Sequence, residues 1–346
     1  MKKIKIGIIG FGRMGITHFS IVNNHDLVEI VAIVDPSNVI LELAKKYINR
    51  INVYTNHIDL FSKEKLDAII ISTPPSLHFE IANRAAELKI HVFCEKPFTT
   101  SSNEAKNLSE LFENLNLINQ VGYVNRFNDV FIKTKELINN NIIGNLIRFK
   151  SEMYSRTITK SHDGNTWRDS HKTGGGALFE VASHAIDLVN FLIGKPQKVI
   201  GSSLLSIFSR NVEDAISSTF IYKENISGTL NVNWSDESYR KPTNKIELLG
   251  SKGKILADQH SIKIFLNKSN NEYNLKEGWN TLYITQIFNP VPFYVRGNEF
   301  TSQLYSFIEC INSNILTSNC SFRNGFETLD VIEEIFKDYK KNGKLD

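Results

Sequence analysis

The stretch Ile4-Lys5-Ile6-Gly7-Ile8-Ile9-Gly10-Phe11-Gly12-Arg13-Met14-Gly15 decides the fold. Its first half is a β-branched run that reads as a strand, and from Met14 to Val22 apolar residues recur three and four apart, as on one face of a helix. Between them stand three glycines. The first permits a tight turn, the second lets backbone approach a pyrophosphate, and the third allows close helix packing, while the free N–H groups of the helix start attract phosphate charge. A glycine triplet alone is a weak signal, and a turn that binds no nucleotide is its alternative. Asp35 strengthens it. This residue ends the next strand, Glu29 to Val34, about 20 residues on, where a carboxylate can accept both ribose hydroxyls of NAD. The same acid repels a 2′-phosphate, and Pro36 follows without an adjacent arginine or lysine, so NAD(H) is favoured over NADP(H).

Outward from this turn the rhythm persists. Strand-like runs at Asp67 to Ser72, His91 to Cys94 and Asn119 to Tyr123 alternate with helical patterns at Val39 to Tyr47, Leu77 to Leu88 and Asn103 to Leu115. Continuous runs such as Ala68-Ile69-Ile70-Ile71 suit a parallel sheet covered on both sides. Residues 1–122 are therefore expected to form an NAD-binding α/β unit of the Rossmann type. After Arg126 come a helix (Asp129 to Asn139), a strand (Leu146 to Tyr154), a polar stretch (Ser155 to Thr173), Gly174-Gly175-Gly176 and a helix from Ala177 to Ile193. Strands follow at Lys198 to Phe208, Glu213 to Tyr222, Ile226 to Trp234, Lys245 to Leu249 and Ile262 to Leu266. Ile226, Leu230, Val232 and Trp234 share one parity, which predicts a sheet buried on one face. Residues 123–346 are expected to form an α+β domain on an open, predominantly antiparallel sheet whose free face meets a partner subunit in a homodimer or homotetramer. The last segment, Phe300 to Tyr339, is helical in pattern with a break near Ser318.

With 41% hydrophobic and 22% charged residues the chain has the composition of a folded protein, and its net charge of +3 carries no basic stripe for nucleic acid. Cys94, Cys310 and Cys320 are too few and too scattered for a disulfide framework. The N-terminal apolar run is shorter than a signal-peptide core, and nothing approaches the ~20 apolar residues of a membrane span. The expectation is a cytoplasmic protein.

Two clusters carry chemistry. Thr73-Pro74-Pro75 follows the strand Asp67 to Ser72, where ligands sit outside the carboxyl ends of such sheets. His78 either faces this cleft or is a helix-start histidine held by hydrogen bonds. Glu95-Lys96-Pro97 sits at the carboxyl end of the strand His91 to Cys94, and Pro97 biases Lys96 toward extended backbone. An ammonium there can stabilise the alkoxide that precedes hydride loss; a surface lysine at a strand end is the bland alternative. Glu180, His184 and Asp187 lie within an arc of roughly 60° on a uniform helix, apart from the apolar stripe of Leu178, Val181, Ala185, Leu188 and Leu192. A histidine with a carboxylate neighbour can exchange a proton near neutral pH. A metal pair is the weaker reading, since no third ligand is marked and hydride transfer needs no metal.

In order and spacing, the glycine motif with His18, Asp35, Thr73-Pro74-Pro75 with His78, Glu95-Lys96-Pro97, Gly122-Tyr123 with Arg126, Trp167-Arg168, and Gly174-Gly175-Gly176 leading to His184 and Asp187 resemble the Gfo/Idh/MocA family over essentially the whole chain. The resemblance implies oxidation or reduction at a secondary hydroxyl of a sugar or polyol. It makes Lys96 and His184 the catalytic pair, with a carboxylate one turn earlier; here that is Glu180 where aspartate is commoner, and Ala182 stands where glycine is frequent. Tyr123, Asn125, Arg126, Arg156, Trp167, Arg168 and Lys172 suit a hydroxylated ring, and the cations also suit a nucleotide diphosphate. Trp234 to Lys241 and the segment through Trp279, Tyr283, Phe293, Tyr294 and Arg296 are further candidates for substrate contact. The chain also looks like family members of bacterial surface-polysaccharide biosynthesis, which act on nucleotide-linked sugars. Two other classes stay open: a glycoside hydrolase that uses NAD for transient oxidation, and a non-catalytic NAD-binding regulator, which would have no use for Lys96 and His184.

Overall fold

The computed structural model describes residues 3–48, 50–161 and 166–342. The chain forms two compact units, and the first combines residues 1–124 with 291–326. Its elements are β1 (Ile4–Ile9), α1 (Arg13–Val22), β2 (Val28–Val34), α2 (Asn38–Tyr47), β3 (Asn52–Tyr54), α3 (His57–Lys63), β4 (Ala68–Ile71), α4 (His78–Glu87), β5 (His91–Cys94), α5 (Ser102–Asn114) and β6 (Asn119–Val121). The six strands are all parallel in the order β3-β2-β1-β4-β5-β6. In that order the chain reverses direction across the sheet between β1 and β4, and the crevice outside their carboxyl ends is the place for a ligand. Ile6, Ile8, Ile70 and Phe93 form the middle of the core.

The second unit combines residues 125–290 with 327–346. It contains α6 (Asp129–Asn139), β7 (Leu146–Tyr154), α7 (Ser183–Leu192), β8 (Lys198–Leu205), β9 (Ala215–Ile221), β10 (Ser227–Asn233), β11 (Thr243–Gly250), β12 (Gly253–Ala257), β13 (Ser261–Leu266), β14 (Gly278–Tyr283) and α8 (Ile284–Ile287). Two further helices, α9 (Asn298–Asn312) and α10 (Phe322–Asn342), complete the chain. Eight strands run in the order β14-β13-β12-β11-β7-β10-β9-β8, antiparallel except for β7 beside β10. Of the four residues expected to share a buried parity, Leu230, Val232 and Trp234 are buried, whereas Ile226 is half-buried and precedes β10. The in-phase Phe149, Ile246 and Leu248 are buried too, and the alternate residues of these strands are partly open. No helix among the described residues is long and apolar enough to cross a membrane.

Three expectations differ from the structure. The chain does not divide once at residue 122, because residues 291–326 return to the first unit, where Leu304, Phe307 and Ile308 of α9 are fully buried in its core. Burying such side chains is worth roughly 1.5–3 kcal/mol each, enough to dictate where an amphipathic helix docks. Short strands also went unseen: β3, β12 and β14. Finally, the helix expected from Ala177 to Ile193 is not uniform, for Leu178–Ala182 form a π-helical turn before α7 begins.

Candidate active site

In the first unit the glycine turn is built as its spacing demands. Gly10 has φ +88°, and a Cβ there would stand 2.7 Å from the Ser72 backbone. At Gly15 a Cβ would meet the Gly10 carbonyl oxygen at 2.0 Å, so helix α1 closes onto the turn only with glycine there. Gly12, the N-cap of α1, has nothing within 4 Å of its Cβ position. Asp35 accepts from the Phe11 N–H at 2.8 Å and the Ser37 N–H at 2.9 Å, which ties the end of β2 to the turn. Its carboxylate has lone pairs left for ribose hydroxyls. Across the crevice, the Thr73 hydroxyl is buried without a hydrogen-bond partner among the described residues. A buried polar atom without such a partner, beside an open glycine at a helix start, fits a phosphorylated dinucleotide.

Lys96 follows directly on β5 and is half-buried. The Lys96–Pro97 peptide is cis. Glu95 anchors this strand end: one carboxylate oxygen lies 2.7 Å from Nε2 of His18, fully buried on α1, and the other accepts from the Lys96 N–H at 3.1 Å. Burial pushes the Glu95 carboxyl up, but the His18 bond and the charges of His18 and Lys96 more than reverse this and hold it below its ordinary value. A Cβ at Gly122 would touch the same carboxylate at 3.1 Å, so glycine makes room for it. His78 is fully buried, with Nδ1 3.1 Å from the Pro97 and Phe98 carbonyl oxygens and Nε2 2.9 Å from that of Thr73. Of the two expectations for His78, the structural one holds. Burial lowers its pKa, and the carbonyls of Thr73, Phe98 and Pro97 and the charge of Glu95 oppose that shift; the ring sits between the Thr73 loop and the end of the Lys96 segment.

The second unit gathers the other candidates. Arg168 Nε donates to Glu180 at 2.7 Å, and its guanidinium lies 4.7 Å from the centre of the Trp167 ring. His184, half-buried on α7, has its carbonyl 3.4 Å from the donating amide of Asn244 on β11. Asp187 does not share their setting. It is fully buried, and Arg126 donates to it from Nε at 2.9 and 3.0 Å and from Nη2 at 2.9 Å. Burial raises the Asp187 pKa, and Arg126 offsets this only in part. This corrects two expectations: Asp187 is the partner of Arg126 rather than a group held ready for His184, and Arg126, 5% exposed, is not a surface for substrate. The π-helical turn changes only the phase of Glu180 relative to His184 and Asp187, which both lie in α7.

The remaining candidates divide. Tyr123 and Asn125 are buried, whereas Arg156 and Lys172 are exposed and Trp167 is half-buried. Of the polar stretch 155–173, residues 162–165 lie outside the described residues. Trp234 is core, donating from its indole to Asp214, and Trp279 and Tyr283 lie on the edge strand β14. Two functional supports had no signal in the sequence. Glu213 accepts from the Leu178 N–H at 2.7 Å and lies 2.6 Å from Nε2 of His171, pinning the start of the helix that carries Glu180 and His184. No group of histidines, cysteines and carboxylates among the described residues could hold a metal ion.

Two family models match this chain in order: the NAD-binding Rossmann-fold domain of the GFO/IDH/MocA oxidoreductase family over residues 4–123, and that family's C-terminal domain over residues 131–256. An uncharacterised oxidoreductase of Schizosaccharomyces pombe is 34% identical over 149 residues, 43% of this chain and 40% of its own. The match thus spans about two fifths of the length of the curated relatives it first meets. Levoglucosan dehydrogenase, solved with NADH and levoglucosan, has the same fold, with a TM-score of 0.84, 19% identity and 98% of both chains covered. WlbA dehydrogenase from Bordetella pertussis, solved with NADH and UDP-GlcNAcA, has a TM-score of 0.84 at 21% identity over 98% of this chain and 96% of its own. The glycine turn with Asp35, the Glu95-Lys96-Pro97 strand end and both matched domains place the chain in the Gfo/Idh/MocA family of NAD-binding oxidoreductases.

Proposed function

We propose that this chain transfers a hydride between NAD(H) and a secondary hydroxyl or keto carbon of a sugar, nucleotide-linked sugars being the favoured class. The observation that carries the reading is Lys96, half-buried at the carboxyl end of β5 on the crevice side of the sheet, its N–H held by a carboxylate that also grips helix α1. An ammonium so placed suits the oxygen of a reacting carbinol, where it stabilises charge as the alkoxide develops. NAD, when bound, supplies the hydride acceptor. His184 accepts or returns the hydroxyl proton, and Glu180, itself held by Arg168, supplies the neighbouring carboxylate. Trp167, Arg168, Arg156 and Lys172 offer a ring face and cations for a sugar or its diphosphate. The sugar ligands of the two similar solved enzymes, levoglucosan and UDP-GlcNAcA, support this substrate class. Asp35 favours NAD(H) over NADP(H) through its charge.

The test is a screen of sugars and nucleotide-sugars with NAD and NADP side by side, read by NADH absorbance, followed by single-turnover hydride transfer on the best substrate. Lys96→Met and His184→Ala should each slow hydride transfer by roughly 10²-fold or more, with NADH affinity nearly unchanged. Near-normal rates in both variants would refute the assignment and make Tyr123 the next residue to change. Sugar release without net cofactor reduction would identify a hydrolase instead.

A further inference from the structure

Arg296 was grouped by sequence with a substrate-facing aromatic segment, yet the structure puts it in the first unit, beside the glycine turn. Its Nη1 donates to the Met14 sulfur at 3.4 Å, and Met14 is the second residue of α1, inside the glycine motif. The Phe300 ring, 5.0 Å from the guanidinium carbon, holds the group by a cation–π contact. We propose that Arg296 is a cofactor-binding residue whose guanidinium, together with that of Arg13, grips the pyrophosphate of the dinucleotide at the start of α1.

The proposal deepens the cofactor assignment and rests on it. A guanidinium carries five donors in a rigid fork suited to phosphate oxygens. Among the described residues, the only hydrogen bond Arg296 makes is to a thioether, a weak acceptor. Arg13, the first residue of α1, has no side-chain hydrogen bond or ion pair among the described residues. Two guanidiniums thus gather at the positive end of one helix dipole, an arrangement that an anion between them would relieve. Burial lowers the Arg296 pKa first, and the charge of Arg13 lowers it further, against the opposite pull of Glu95. The bond to Met14 places the guanidinium at the first turn of α1, the end of the helix that takes a dinucleotide's pyrophosphate.

The experiment is a fluorescence titration of NADH, with ADP-ribose as competitor, against the full-length protein and its Arg296→Ala and Arg296→Lys variants; ligand-free melting temperatures check that each variant folds. Arg296→Ala should raise Kd about ten-fold or more for both ligands, a loss on the order of 1.4 kcal/mol, and Arg296→Lys should recover part of it. The variant should also show a shallower fall of affinity with added salt, because one phosphate contact is gone. Unchanged Kd values in Arg296→Ala would overturn the proposal. So would a loss confined to NADH, which would move Arg296 from the phosphates to the nicotinamide. Failure of the unaltered protein to bind NADH would overturn the cofactor assignment itself, and this proposal with it.

Discussion

Asp187 and His184 lie three residues apart on α7, and the fold puts them to different uses. The Asp187 carboxylate is filled by Arg126, with the Thr328 hydroxyl 3.4 Å away, in a fully buried setting. A buried pair of this kind adds little net stability over an apolar replacement, but removing one partner strands the other charge at a cost of about 3–5 kcal/mol. Asp187→Asn should therefore lower stability by about that amount in urea unfolding, and the double change with Arg126→Met should recover much of it. A single variant that unfolds at the original midpoint would show that the pair is not a brace. The sequence placed Asp187 beside His184 as a carboxylate neighbour, because its actual partner, Arg126, stands 61 residues away. Side-chain pairing across such a span depends on tertiary packing that helical periodicity does not encode. His18, Glu95 and Lys96 were legible as motif residues for the opposite reason, since each sits at a fixed offset from a strand end or a glycine turn.

Two glycines at helix starts show what an element asks of its first residues. Gly176, with φ +95°, would bring a Cβ to 2.6 Å from a carboxylate oxygen of Glu213, whose carbonyl accepts from the Ala177 N–H at 3.0 Å. Any side chain there is strained by its backbone and pushes against the residue that pins the π-helical turn. Gly176→Ala should cost about 1–3 kcal/mol of stability. Gly12 is the counterexample, since its N-cap φ of −73° is open to any residue and no protein atom stands within 4 Å of a Cβ. Gly12→Ala should leave stability within about 0.5 kcal/mol yet weaken NADH binding by about ten-fold, because the added methyl enters the space left for the pyrophosphate. Equal melting temperatures for the two variants, or an unchanged NADH Kd in Gly12→Ala, would refute this division. Elements with a full period were readable in the sequence: β1, β5, α6 and β7 begin and end where the pattern places them. The strands that were not readable lack that period. β3 has three residues, β12 follows a glycine-rich turn, and β14 alternates half-buried with exposed residues at the sheet edge. The π-helical turn left no mark because its side chains are as apolar as those of an α-helix.

For the whole molecule, the sequence carried the two-part plan but not the return of residues 291–326 to the first unit, since an amphipathic helix such as α9 does not say in its own pattern which sheet will cover it. The eight-stranded sheet raises the same question about its second face. Opposite the buried rows, register aligns Lys150 with Glu247 and Leu256, and Leu249 with Lys254, Phe265 and Trp279. One end of this face is a mesh of charge, with Lys150 paired to Glu152 and Lys254 to Glu247. The β14 edge presents Trp279 and Tyr283, with Trp279 57% exposed and packed edge-on against Phe265, and Leu249 is separated from them by Lys254. An open aromatic row on a sheet of this size is the kind of surface that a second copy closes about a two-fold axis. The protein should therefore sediment as a dimer or tetramer at micromolar concentration. Trp279→Glu, which places a charge on that edge without touching the buried face, should shift it toward monomer while leaving the far-UV circular dichroism unchanged. A single monomeric species for the unaltered protein would remove the case for a partner subunit, and an unshifted Trp279→Glu variant would move the interface away from the β14 end of the sheet.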